Sequence, residues 1–175
     1  MSRIMIIDDD KDWSKDIAEY LISEKFEVII KSNSDDGITL FNQEFFDVLV
    51  IDYKLLNGGS NKDNGIDVIN KIRCYDKFIP IILCSGQLEK SGDIEKILID
   101  SIRLGIADYF NKSKSAKELQ IVIQKCQDIK TDSILLAYEK WYLKCKDKDK
   151  PIIINSNGEK YSPKRIVEEI SCRCY

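Results

Sequence analysis

The stretch Val48-Leu49-Val50-Ile51-Asp52 decides the fold class. Four apolar residues in succession read as a strand buried on both faces, which a parallel sheet covered by crossover helices provides. An aspartate at the carboxyl end of such a strand lies where open α/β sheets place their chemistry. Working outward, four more runs have the same character: Ile4 to Ile7, Phe26 to Ile30, Ile79 to Cys84 and Ile106 to Phe110. Helical spacing fills the gaps, with Trp13, Ile17, Tyr20 and Leu21, then Ile38, Leu40 and Phe41, then Ile66, Ile69 and Ile72, then Ile94, Ile97, Leu98 and Ile102. The pattern is βα repeated, and right-handed crossovers fold it into a three-layer α/β sandwich. Asp12, Asn33 or Ser34, and Asn64 stand where helix N-caps belong.

After the fifth strand, 115–129 reads as a helix with Leu119, Val122, Ile123 and Cys126 on one side, closing a (βα)5 set. Lys130-Thr131-Asp132-Ser133 interrupts the stripe with two N-cap residues, so a second helix follows, carrying Tyr138, Trp141 and Tyr142, or one long helix bends there. The alternating lysines and aspartates of 144–150 read as a solvated linker. Pro151 to Asn155 is a strand candidate, Ser156-Asn157-Gly158 a turn, and Ser162-Pro163 the start of a last helix to about Ser171. The expected domains are 1–129, the α/β unit, and 130–175, a small extension of helix, short hairpin and short helix.

The chain has 175 residues, enough for one full core with length to spare. It contains no histidine, which removes Ser/His and Cys/His nucleophilic catalysis and imidazole metal ligands. Chemistry must rest on carboxylates, lysine and hydroxyls. Its formal net charge of -3 is uneven: residues 1–112 hold 14 Lys/Arg against 21 Asp/Glu, and residues 113–175 hold 13 against 9. The six cysteines form no CxxC pair and are read as free thiols, with Cys172 and Cys174 as a weak metal or oxidation candidate. The amino end enters a strand at once, and no apolar stretch is long enough for a bilayer. A soluble, cytoplasmic protein is expected.

Asp8, Asp9 and Asp10 directly follow the first strand, at the same edge of the sheet as Asp52. Carboxylates converging in one crevice repel, and a hard divalent cation with oxygen ligands offsets that repulsion; magnesium is the natural candidate. Ser85 and Lys112 end the fourth and fifth strands on the same rim. Acids, a metal, a hydroxyl and a cation together suit phosphoryl transfer to a carboxylate, with Asp52 the best-placed nucleophile.

Four motifs then stand in order: Ile6-Ile7-Asp8-Asp9-Asp10, Val50-Ile51-Asp52-Tyr53-Lys54-Leu55, Ile82-Leu83-Cys84-Ser85-Gly86 and Ala107-Asp108-Tyr109-Phe110-Asn111-Lys112. Together they resemble the response-regulator receiver domain of two-component signalling, over about residues 1–129. The resemblance implies a flavodoxin-like doubly wound sheet of order 2-1-3-4-5. It also implies that Asp52 is the phospho-acceptor, Asp9 a direct magnesium ligand, Asp8 a ligand through water and the Lys54 backbone carbonyl a further ligand. Ser85 and Lys112 would hold the phosphoryl group, Tyr109 would be the aromatic switch coupled to Ser85, and Lys54 and Gln87 would tune the lifetime of the acyl phosphate. Gly86 leaves the phosphoryl site open. The chain departs from the family at Leu56 and Ser113, where prolines are usual, so the peptide after Lys112 is free to be trans. The loop from Leu56 to Gly65 is longer than usual, a lid, a partner contact or simple decoration.

The main expectation is a switch in which a sensor histidine kinase, phosphotransfer protein or small phosphodonor phosphorylates Asp52 and so changes contacts with a downstream protein effector. No enzyme activity is expected beyond self-directed phosphoryl transfer and autodephosphorylation. A homodimer through the tail is one possible output; DNA binding and membrane insertion are not expected. The alternatives are a phosphorylation-independent interaction module and, if the tail binds DNA, a transcriptional regulator. An aspartate-nucleophile hydrolase is disfavoured because position 54 is lysine where a second aspartate would supply the general acid.

Overall fold

The apolar runs become five parallel strands, β1 Arg3–Ile7, β2 Glu27–Lys31, β3 Val48–Asp52, β4 Ile81–Ser85 and β5 Asp108–Asn111, in the flavodoxin-like order β2-β1-β3-β4-β5. This is a computed structural model, which describes residues 1–55, 64–86, 94–154 and 157–166, and at 94–96, 98 and 130–140 the backbone alone. The helices are α1 Lys11–Ser23, α2 Ser34–Phe41, α3 Gly65–Arg73, α4 Ile94–Arg103 and α5 Ala116–Lys144. Two compact units divide the chain, Met1–Gln127 and Asp128–Tyr175.

Alternation along the strands divides the first unit into layers. Met5, Ile7, Leu49, Ile51, Ile81 and Leu83 face one way, onto Val68, Ile69 and Ile72 of α3 and Ile97 of α4. Ile4, Ile6, Val48, Val50, Ile82 and Cys84 face the other way, onto Ile17 and Leu21 of α1 and Leu119, Ile123 and Cys126 of α5. All twelve strand residues are fully buried. At about 25 cal/mol per Å² of apolar surface, this two-sided burial is the main stabilising term, and it fixes register because a one-residue slip would exchange the faces.

Among the boundaries that differ from the sequence reading, three have a plain local reason. Strand β4 begins at Ile81, because Pro80 has no N–H for the ladder and the Ile79 N–H is held by Asp76 Oδ1 at 2.9 Å. Strand β5 begins at Asp108, because Gly105, at φ +65°, ends α4 and the Ile106 N–H turns back to Ser101 O at 3.2 Å. Helix α1 is capped by Asp10, whose Oδ1 accepts the Trp13 N–H at 3.1 Å, and Asp12 lies in the first turn instead. Asn33 caps α2, and Asn64 caps α3 in a reciprocal box with Asp67. Arg73 at the end of α3 donates to the carbonyls of Asp76, Ile79, Leu104 and Gly105, tying the start of β4 to the turn before β5.

Helix α5 runs through Lys130-Thr131-Asp132-Ser133 without a break. No glycine or proline stands there to stop it, and residues that favour a cap are tolerated inside a helix already propagating. Its start is closed by Ser115 and Glu118, each accepting from the other's backbone N–H. In the second unit, β6 Ile153–Ile154 pairs antiparallel with β7 Lys160–Tyr161, the expected hairpin. Residues 163–166 are helical, with Ser162 Oγ accepting from the Arg165 N–H at 3.3 Å; the rest of that predicted helix, with Cys172 and Cys174, lies outside the described residues. Cys74, Cys84, Cys126 and Cys145 are free thiols. No helix among the described residues is long and apolar enough to cross a membrane.

Candidate functional site

Strand order locates the crevice. From β1 the chain moves to β2 on one side, and β3 then lies on the other side of β1, so the carboxyl ends of β1 and β3 flank the topological switch point. Ile7 pairs with Ile51, which places Asp8 and Asp52 side by side as the next residues. The carboxylates of Asp8, Asp9 and Asp52 offer oxygens all within 4.8 Å of one another. Asp10 is not in this group, being used as the α1 cap, and its own N–H is accepted by Asp8 Oδ1 at 2.9 Å.

Lys112, just beyond β5, reaches across to these acids. Its Nζ lies 2.9 Å from Asp8 Oδ1, 2.7 Å from Asp8 Oδ2 and 3.0 Å from Asp52 Oδ1. The side chains are 12%, 1% and 7% exposed for Lys112, Asp8 and Asp52, so these are interior ion pairs little weakened by solvent. Burial pushes the Asp52 carboxyl up to about 6, with the Lys112 charge opposing and Asp8 and Asp9 adding to the rise. Burial also raises Asp8 against the pull of Lys112. For Lys112, burial acts to lower its value, but the hydrogen bond to Asp8 and the charges of Asp52 and Asp8 carry it above the usual lysine range. One ammonium therefore does not fully compensate these acids.

That shortfall has a structural counterpart. Asp8 Oδ2 is buried and makes no well-aligned hydrogen bond, its one close partner being the shared Lys112 ammonium at 2.7 Å. A buried carboxylate that shares a single ammonium with its neighbour, next to two further carboxylates, fits an oxygen-seeking divalent cation. Asp8, Asp9 and Asp52 could hold one.

The rim is completed by Ser85, which is buried at the end of β4, and by Lys54, which is exposed. A cleft of about 260 Å³ opens between Asp9, Asp10, Asp52, Lys54, Ser85, Gly86 and Lys112. A Cβ at Gly86 would meet only Lys112 Cβ, at 3.8 Å, so this side of the cleft has spare room. The Ser85 carbonyl accepts from the Lys112 N–H at 3.1 Å and from the Tyr109 hydroxyl at 3.3 Å. Tyr109 is half-buried and packs on the α3–α4 side of the core. No cis peptide occurs among the described residues, so the bond after Lys112 is trans. Gln87 and 56–63 of the long loop lie outside the described residues.

Two neighbours of the site escaped the sequence reading. Gly65 donates its N–H to Tyr53 O at 2.8 Å, and a Cβ there would come within 2.4 Å of the Asp52 carbonyl oxygen. Only glycine lets α3 start this close to the end of β3. Trp13, read as a core position of α1, also has the Lys112 ammonium 4.9 Å from its ring centroid. A glycine opening a helix directly after a long loop was the available signal for the first; nothing in the spacing signalled the second.

Known proteins share this architecture. A solved response regulator receiver domain protein from Clostridium thermocellum superposes with a TM-score of 0.64 at 23% identity, over 74% of this chain and 97% of that one. The structure of NtrX from Brucella abortus gives 0.69 at 19% identity, over 89% of this chain and 32% of its own. In sequence, the uncharacterized transcriptional regulatory protein YcbL of Bacillus subtilis (strain 168) is 32% identical over 115 residues, 66% of this chain and 46% of that protein. The transcriptional regulatory protein CpxR of Escherichia coli (strain K12) is 27% identical over 119 residues, 68% and 46% of the two chains. The chain thus spans about half the length of these curated relatives. The model of the response regulator receiver domain family matches residues 4–124, the motif-bearing ends of β1, β3, β4 and β5 included, and the chain belongs to that family.

Proposed function

We propose that the protein is a phosphorylation switch in which Asp52 accepts a phosphoryl group from a histidine kinase, a phosphotransfer protein or a small phosphodonor. The observation that carries this reading is Lys112, held at 3.0 Å from Asp52 and within 2.9 Å of Asp8 at the mouth of an open cleft. An Asp52 oxygen attacks phosphorus, the new P–O bond gives an acyl phosphate, and the bond to the donor breaks with its electron pair leaving on the donor. Lys112 stays protonated and meets the incoming negative charge, and the Ser85 hydroxyl donates to a phosphoryl oxygen. Magnesium, held by Asp8, Asp9, Asp52 and the Lys54 carbonyl, would supply further charge neutralisation at the same place. Water attacking the acyl phosphate returns Asp52 as a carboxylate, with Lys54 and Gln87 setting how readily water enters.

The phosphoryl group, carrying about -1.5 to -2 where the carboxylate carried -1, then acts on Ser85 and, through its carbonyl, on Tyr109, which sits at the β4–β5 edge. A changed surface there is read by a protein effector in the cytoplasm. In this reading 1–129 is the receiver and 130–175 an extension that carries or adjusts the output, by dimerisation among other means. A second reading, DNA-directed output, is favoured by one observation, that the relatives YcbL and CpxR are transcriptional regulatory proteins. Phosphate-affinity electrophoresis after incubation with acetyl phosphate and magnesium tests the switch. A shifted band that Asp52→Asn abolishes is expected; no band, or one that survives the substitution, refutes it. Retention of duplex DNA at physiological salt would favour the second output.

A further inference from the structure

The Lys112 ammonium has carboxylates on one flank and an indole on another. The Trp13 ring packs on the α1–α5 side of the core, its backbone N–H is fixed by Asp10, and Lys112 Nζ stands 4.9 Å from the ring centroid. The ring does not line the cleft, whose walls are Asp9, Asp10, Asp52, Lys54, Ser85, Gly86 and Lys112. It therefore meets the lysine without taking up the space a phosphoryl group would enter. We infer that Trp13 is a positioning residue for Lys112, its π face holding the ammonium at Asp52 and so setting the rate of phosphoryl capture. The inference rests on Asp52 being the acceptor.

The physical case turns on what must change during transfer. Lys112 holds Asp8 and Asp52 through directional N–H groups, and some of these must pass to phosphoryl oxygens as the bond to Asp52 forms. A lysine on its four-carbon stem, freed from one carboxylate, gains rotamers that lead away from the site. The ring quadrupole attracts the cation with no demand on hydrogen-bond direction, so it keeps its hold while the N–H groups change partners. Trp13 touches neither donor nor acceptor, and its effect reaches the reaction only through Lys112.

The test compares initial labelling rates of the full chain by acetyl phosphate with magnesium, in wild type, Trp13→Phe and Trp13→Leu, at matched circular dichroism. Phenylalanine keeps a π face, whereas leucine keeps apolar bulk without one. Trp13→Leu should label about tenfold more slowly and Trp13→Phe within about threefold of wild type, the range expected for a partly desolvated cation–π contact. Equal rates for Leu and Phe in a labelled wild-type background overturn this inference alone. Absence of labelling in wild type overturns it together with the acceptor reading. A second measurement needs no phosphoryl transfer: the chain has two tryptophans, so Trp141→Phe leaves Trp13 as the one indole. Adding Lys112→Met should then shift its emission, and an unchanged spectrum refutes the contact itself.

Discussion

Replacing Asp52 with asparagine should make the metal-free protein more stable, although it removes the residue on which the proposed function depends. The carboxyl is raised from 3.8 to about 6 because it is buried, a net figure that already includes the help of Lys112. Well below pH 3.8 it is neutral whether the chain is folded or not. Between about pH 4 and 6 the unfolded chain ionises first, so stability falls as pH rises, and the loss is complete once pH passes about 6. At pH 7.5 the ionised group then costs folding about 3 kcal/mol, from about 1.4 kcal/mol for each pH interval between the two values. Asparagine is close to isosteric and carries no charge. Urea unfolding in EDTA should therefore give Asp52→Asn an advantage of about 2 to 3 kcal/mol at pH 7.5 that shrinks towards zero near pH 4. Magnesium should reverse the order, because it binds the wild-type carboxylates and not the amide. An equal or lower midpoint for the variant in EDTA at pH 7.5, or an advantage that does not change with pH, would refute the argument that desolvation dominates this site.

Lys112→Met removes the counter-charge and leaves Asp8 and Asp52 buried together, so urea unfolding in EDTA at pH 7.5 should show a loss of about 3 kcal/mol, smaller at pH 5 where Asp52 protonates. Gly65→Ala puts a methyl 2.4 Å from the Asp52 carbonyl oxygen and should cost about 1 to 3 kcal/mol and slow labelling. Gly86→Ala, with only Lys112 Cβ at 3.8 Å, should change stability by less than about 0.5 kcal/mol in the same unfolding assay. Lys25 ends α1 at φ 68°, a left-handed conformation that strains any side chain, so Lys25→Gly should raise the urea midpoint by about 1 kcal/mol of stability.

The sheet was legible because its strands are buried on both sides. A run such as Ile4 to Ile7 has no polar interruption, so it reads as a strand without any partner being known. Asn33 and Asn64 were equally readable, since a cap acts over three residues. Asp10 and Asp12 were not separable in the same way: Asp8, Asp9, Asp10 and Asp12 all suit a helix start, and which one caps depends on where β1 releases the chain. The continuity of α5 was left open for a related reason, because Thr131 and Ser133 favour a cap only if something else ends the helix. The carboxylates of the site could be collected from sequence because Asp8 and Asp9 directly follow β1 and Asp52 ends β3. Trp13 and Gly65 could not, because one acts through a lysine 99 positions further along the chain and the other through a backbone contact that has no signature in residue type.

The site's composition follows from charge once the strands are in place. Three carboxylates and one ammonium, counted at formal charge, leave an excess of two negative charges in a crevice where Asp8 and Asp52 are nearly closed to water. A rigid sheet cannot relieve that by moving its strand ends apart, so relief comes through protonation, which the raised Asp52 expresses, or, on the proposed function, through a divalent cation that Asp8, Asp9 and Asp52 would hold. A phosphoryl group on Asp52 exchanges one negative charge for about two, and the same crevice must then hold more negative charge than before. Lys112 is the group able to answer, because its ammonium already spans Asp8 and Asp52 and sits on the wall of the cleft rather than behind it. On the proposed function the resting ion pair with Asp8 is therefore a held position from which the lysine would turn, and anything that fixes the lysine without occupying its N–H groups would favour that turn.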